Sequence, residues 1–220
     1  MMRKMKRISA VLVITMLLCG LFAPSAFAYN KQATANYAIN WFQSYNSMYN
    51  RYEGEGGDCT NFASQALYAG GIPMNTPSVI PQGVSGTSSY WYSKKYIQNV
   101  YLFGVLISST PVWRESSSWI RAAGGTGGGF YEYWSNRYQV VTTTDKNYIR
   151  SNSQVGNVIQ VQASNRTVRH HSVIVGQKSA VNELFLYYHS PNNARQLDNF
   201  DANFGQGKGT NKYTVYRNWN

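Results

Sequence analysis

Gly54-Glu55-Gly56-Gly57-Asp58-Cys59-Thr60-Asn61-Phe62-Ala63-Ser64-Gln65-Ala66-Leu67-Tyr68-Ala69-Gly70-Gly71 is the stretch from which the rest of the chain is read. A flexible glycine run delivers the backbone to Asp58 and Cys59. Phe62, Ala63, Ala66 and Leu67 then recur at helical spacing until two glycines stop the helix. This puts Cys59 at a helix N-terminus, where N–H groups without intrahelical acceptors and the positive end of the dipole favour a thiolate. The charge of Asp58 opposes thiolate formation, so Asp58 reads as a cap or loop anchor and not as a base.

Upstream, residues 1–28 read as a secretory signal peptide. Arg3, Lys4, Lys6 and Arg7 precede the nearly unbroken apolar run Ile8–Ala23, and Ala26-Phe27-Ala28 supplies the small residues of a cleavage site. A membrane anchor is the competing reading, weakened by Thr15, Gly20 and Pro24. Lipid attachment at Cys19 is disfavoured by the bulky Leu18 before it. Loss of this segment leaves 29–220 with 16 basic and nine acidic residues, a net charge of +7. That suits attraction to an anionic polymer such as a bacterial wall, or simple solubility. No nucleic-acid motif is present. With 18 tyrosines and six tryptophans in the sequence, the remaining 192 residues can build one domain with a substantial core.

Cysteine usage narrows the chemistry. Without Cys19, Cys59 has no disulfide partner in its own chain. A solitary thiol in an oxidising compartment is either buried as a small apolar residue or used.

Residues 31–50 carry an aromatic stripe from Tyr37 to Tyr49 that predicts a core-facing helix. Tyr52, next to the glycine run, is a candidate to present its hydroxyl to a substrate near Cys59. From Gly71 to about Pro111 the sequence predicts a long irregular region around Tyr90-Trp91-Tyr92, of the kind that forms a functional rim. Trp91 is its candidate substrate-binding residue, with Tyr52 and Asp58. Short helices are predicted at 116–123 and from Phe130 to Tyr138, leading into β-branched 140–144. The segments 155–162, 168–176, 183–190 and 213–217 are β-rich and separated by turns. Helices first and strands after indicate an α+β domain with N-terminal helices packed on a C-terminal antiparallel sheet.

All three histidines, His170, His171 and His189, lie in two neighbouring predicted strands. Side chains alternate along a strand, so only one of the first two can face Cys59, and β-branched residues on both faces leave the choice open. A cysteine nucleophile needs a base beside it and a group that orients the base. Pairing of the two strands as a hairpin would set His171 beside His189; Asn192 or Asn193 is the competing orienter.

The block Asp58-Cys59-Thr60-Asn61-Phe62-Ala63-Ser64-Gln65-Ala66-Leu67, followed by Ala69-Gly70-Gly71-Ile72-Pro73-Met74, resembles the signature of the Putative amidase domain family of exported bacterial proteins. Tyr90-Trp91-Tyr92, Ser118-Trp119, Gly156-Asn157-Val158-Ile159-Gln160, His171-Ser172-Val173-Ile174-Val175 and Tyr187-Tyr188-His189-Ser190-Pro191-Asn192 follow in the family's order. That family is similar to the papain-like group of NlpC-type and CHAP-type wall peptidases. The resemblance implies a papain-like fold, Cys59 as nucleophile, His171 as base and His189 as third residue, with no cofactor. It implies hydrolysis of an amide bond, with peptidoglycan or another extracellular peptide as substrate. A thiolate–imidazolium pair of Cys59 and His171 is the expected resting state, the thiol pKa being lowered by several units. The rivals are a zinc site built from Cys59, His171 and His189, and a non-catalytic wall-binding module.

Overall fold

The computed structural model describes residues 29–52, 57–191, 193–204 and 208–216; the expected signal segment lies outside them. Two helices come first, α1 (Lys31–Trp41) and α2 (Cys59–Ala69). A small sheet follows, built from β1 (Gly83–Ser85), β2 (Ser93–Leu102) and β3 (Val105–Ser116), and then the short helices α3 (Ser117–Ile120) and α4 (Phe130–Ser135). The remaining chain forms β4 (Val140–Thr143), α5 (Lys146–Asn152), β5 (Val158–Gln162), β6 (His171–Lys178), β7 (Leu184–Tyr188), β8 (Asn193–Gln196), α6 (Leu197–Asn203) and β9 (Lys212–Tyr216). These later strands make one antiparallel sheet in the order β4-β9-β5-β6-β7-β8. The α+β arrangement of early helices on a late antiparallel sheet is therefore observed.

Alternation along the strands divides the core in two. On one face Val158, Ile174, Tyr187 and Tyr216 pack against Phe62, Ala66 and Leu67 of α2 and the tryptophans Trp91, Trp119 and Trp134. On the other, Ile159, Val161, Val173, Val175 and Leu186 pack against Ile149 of α5 and Leu197 and Phe200 of α6. Each fully buried Leu, Ile or Phe contributes about 1.5–3 kcal/mol. A sheet covered on both faces thus has β-branched residues in both sets of alternate positions.

From Cys59 to Leu67, α2 is buried on every side, so its polar residues must find partners inside. Asn61 accepts from Trp119 Nε1 at 2.9 Å and donates to Asn50 O at 2.8 Å. Ser64 accepts from Trp91 Nε1 at 3.1 Å and donates to Trp119 O at 2.8 Å, while Gln65 accepts from Tyr37 OH at 2.5 Å. Gly70 closes the helix against α1, where a Cβ would lie 2.0 Å from Thr34 Oγ1. The helix that carries the cysteine is thereby fixed in rotation and in axial position.

The region expected to be irregular contains a long hairpin. β2 pairs with β3 along its length, and Phe103 (φ 49°) and Gly104 (φ 80°) make the turn between Leu102 and Val105. Positive φ at both turn residues matches the right-handed twist of a hairpin. Its outer part is exposed on both faces, so no hydrophobic alternation marks it in the sequence.

Candidate active site

Cys59 opens α2 and is 3 % exposed. Gly57, at φ +88°, allows the approach, since a Cβ there would lie 2.7 Å from Ser190 Cβ. Ser190 Oγ in turn accepts the Asp58 N–H at 2.7 Å, which ties the entry of the helix to the end of β7. The sulfur lies 3.8 Å from Thr60 Oγ1, and Thr60 Oγ1 lies 3.0 Å from Ser172 Oγ on β6. Burial pushes the Cys59 thiol up, against the opposing effect of the Ser172 backbone hydrogen bond. This raised thiol contrasts with the lowered one expected from the sequence.

A cleft of about 290 Å³ reaches this cysteine. Gly57, Cys59 and Thr60 line it together with the segment Ile120–Gly125 and, across from that, Arg166, Val168, Arg169 and His170. The glycine loop is held by Glu132, whose two carboxylate oxygens accept the N–H groups of Gly124 (3.0 Å) and Gly129 (2.7 Å). A second cleft shares Arg166 and His170 and adds Tyr188, Ser190, Pro191 and Arg195, so the two meet at His170.

The histidines separate by face. Ser172 touches Thr60 and so looks toward α2, while His170, immediately before β6, lines the edge of the cleft. His170 is half-buried, accepts the Ala163 N–H on Nδ1 at 3.3 Å and stacks on Phe204. Burial, reinforced by Arg166, pushes its pKa down, so the ring is neutral near pH 7. His171 is on the opposite face, boxed by Tyr188, Phe200 and Phe204, with Nε2 lacking a partner among the described residues. Its pKa falls to about 3 through burial and the neighbouring His170. The structure therefore does not bring His171 to Cys59, and among the described residues no ring nitrogen is hydrogen-bonded to the sulfur.

His189 is on the α2 side of the sheet but engaged elsewhere. Its Nδ1 lies 2.7 Å from Asp58 Oδ2 and its Nε2 2.9 Å from Trp41 O, and the ring stacks on Phe62 at 4.0 Å. One nitrogen meets a carboxylate oxygen and the other a main-chain carbonyl. The expected pairing of His189 with His171 is thus replaced by one with Asp58, because β6 and β7 present the two rings on opposite faces. Asp58 makes no side-chain cap to its own helix; its Oδ1 accepts from Asn61 Nδ2 (2.7 Å) and Tyr52 N (3.1 Å). It anchors the loop, as one of its expected roles required, and is too buried to meet a substrate.

Two further expectations change in the same way. Tyr52 donates its hydroxyl to the Glu115 carboxylate, and Trp91 has no exposed surface, its ring packed tilted against Trp119 in the core with centroids 4.5 Å apart. Neither offers itself to the cleft. Asn193 accepts the adjacent Ala194 N–H at 2.8 Å, and Asn192 lies outside the described residues. The zinc rival loses its geometry, since Cys59, His171 and His189 point to three different surroundings. What sequence reasoning missed is the basic wall of the cleft, although Arg166-Thr167-Val168-Arg169-His170 is contiguous.

The family model described as Putative amidase domain matches residues 28–216. The chain belongs to this family. Searches of curated proteins and of solved structures give no match. Membership supports amide hydrolysis as the general activity and hence a hydrolase acting on amides.

Proposed function

We propose that the protein is an exported, cysteine-dependent amide hydrolase of papain-like plan, with Cys59 as nucleophile and His170 as base, acting on a carboxylate-bearing peptide such as that of a cell wall. The observation that carries this reading is that Cys59, at the start of a helix, and His170, immediately before β6, line one open cleft. His170 is neutral near pH 7 and can accept the thiol proton once its ring turns from Ala163 N. The sulfur then attacks the amide carbonyl, the first N–H groups of α2 are available to the oxyanion, and the imidazolium returns its proton to the leaving amine. Water releases the acyl group. The resting thiol is neutral, so the proton moves only with substrate in place, when the catalytic hydrogen bond tightens.

Arg121, Arg166 and Arg169 line the cleft and Arg195 the adjoining one, with no Asp or Glu among the described lining residues of either. Arg169 is held by Thr142 and Thr214 at 2.9 and 3.0 Å and lies over Tyr131 at 3.5 Å, which fixes its guanidinium at the cleft edge. Such a wall favours a substrate with a free carboxylate near the scissile bond.

Incubating the purified protein with peptidoglycan and identifying the released fragments by mass tests this. Cys59→Ala and His170→Ala should abolish release while His171→Phe retains it, and amidating the substrate carboxylate should raise KM about tenfold. Turnover that survives His170→Ala but is lost in a folded His171→Phe would refute the base assignment. Binding to the wall without any release, in the unaltered protein, would leave the non-catalytic module as the reading.

A further inference from the structure

The hairpin β2–β3 has no part in the cleft, yet it carries the largest run of exposed apolar side chains in the described chain. Residues 100–107 read Val-Tyr-Leu-Phe-Gly-Val-Leu-Ile, and no charged residue occurs from Tyr96 to Trp113. Phe103 at the apex is 97 % exposed, Ile107 57 % and Leu102 53 %. Natural sheet edges are guarded by charge, bulges or cover; this tip has a register irregularity at Val100–Tyr101 but no charge and no cover among the described residues.

The distribution of these side chains constrains what can cover them. Cross-strand partners share a face, so Leu102 and Val105 stand on one face of the hairpin and Tyr101 and Leu106 on the other. Docking on a flat protein surface would cover one face and leave the other wet. Pairing of the β2 edge with a second copy would leave both faces wet. A surrounding apolar medium covers both faces and the apex at once.

Behind the tip come Asn99, Ser108 and Ser109, a polar belt, and at the base Lys94 pairs across from Arg114 with Lys95 beside it. From Val100 to the apex the strand rises about 10 Å. That matches the depth of side chains seated at the boundary between headgroups and acyl chains. The unpaired backbone groups of both hairpin edges keep it there, because open edges do not enter hydrocarbon.

We infer that the 100–107 tip seats this protein on a lipid bilayer, with Phe103 and Leu102 in the acyl boundary and the uncharged belt of Asn99, Ser108 and Ser109 at the headgroups. The contact would hold the cleft near a membrane surface without spanning it.

Vesicle flotation tests the inference on the chain from Tyr29 onward, which contains every described element. Vesicles of phosphatidylcholine should carry the protein up. Leu102→Ser with Phe103→Ser should lower partitioning at least about tenfold. The melting temperature should not move, since both side chains are exposed. Phe103→Trp should add a fluorescence component that brominated lipids quench. Absence of flotation, or flotation indifferent to the double substitution, would overturn the inference. So would a dimer, seen by sedimentation, that the double substitution dissociates while vesicles bind nothing.

Discussion

Asp58→Asn removes one charge and almost no volume, and it should cost the protein about 3 kcal/mol of stability, the lower end of the range for breaking a buried pair from one side. The side chains of Asp58 and His189 are 1 % and 2 % exposed, and their oxygen and nitrogen are 2.7 Å apart. Water cannot replace the lost partner. The amide keeps an oxygen for Asn61 and for Tyr52 N, so the loss falls on the ring: Nδ1 meets a neutral group while Nε2 remains against Trp41 O. For a domain of this size about 3 kcal/mol lowers Tm by about 6–12 °C. Thermal and urea unfolding followed by circular dichroism measure it. Adding His189→Gln should cost less than the sum of the two single changes, because the stranded ring is gone. A loss under about 0.5 kcal/mol, well below what breaking a buried pair from one side costs, or strict additivity, would refute the reasoning.

Other consequences concern titration. Because burial raises the Cys59 thiol, alkylation by iodoacetamide should be slow at pH 7 and climb steadily into the alkaline range, as followed by mass; a rate already at plateau at pH 6 would mean a preformed thiolate pair. Glu115 is buried against Tyr52 and Ser93 and its carboxyl pKa is raised by burial. The folded state therefore holds that proton more tightly than the unfolded chain. The stability this gives is complete below the unfolded carboxyl value and is lost as pH rises through the folded one. The stability advantage of the wild type over Glu115→Gln should accordingly shrink from pH 4 to pH 7 in urea titrations, and an advantage that grows would contradict it.

The helix at Cys59 and the strands 158–162, 171–178, 184–188 and 212–216 were legible from glycine stops and β-branched runs. Their bounds shifted by a few residues. The facing of His170 and His171 was not legible, because a sheet packed on both sides spreads Val and Ile over both alternations. Contacts that no local pattern encodes decided it: Ser172 on Thr60, and Phe200 and Phe204 around His171. Trp91 looked like a rim residue in a proline-rich region, but an isolated bridge to Asn75 folds it inward. The hairpin escaped notice because side chains in water on both faces carry no period.

One imidazole immediately before β6 and another as its first residue make the site depend on the register of a strand that runs far from the sulfur. Sliding β6 by a single residue would exchange the ring in the solvent-filled cleft for the ring in the aromatic box without altering any amino acid. The anchors against such slippage are Ile174, locked under α2, and the irregularity between Val175 and Gln177. Which histidine meets a substrate is therefore selected at the distal half of the strand, and substitutions there can change chemistry while leaving every residue of the cleft in place.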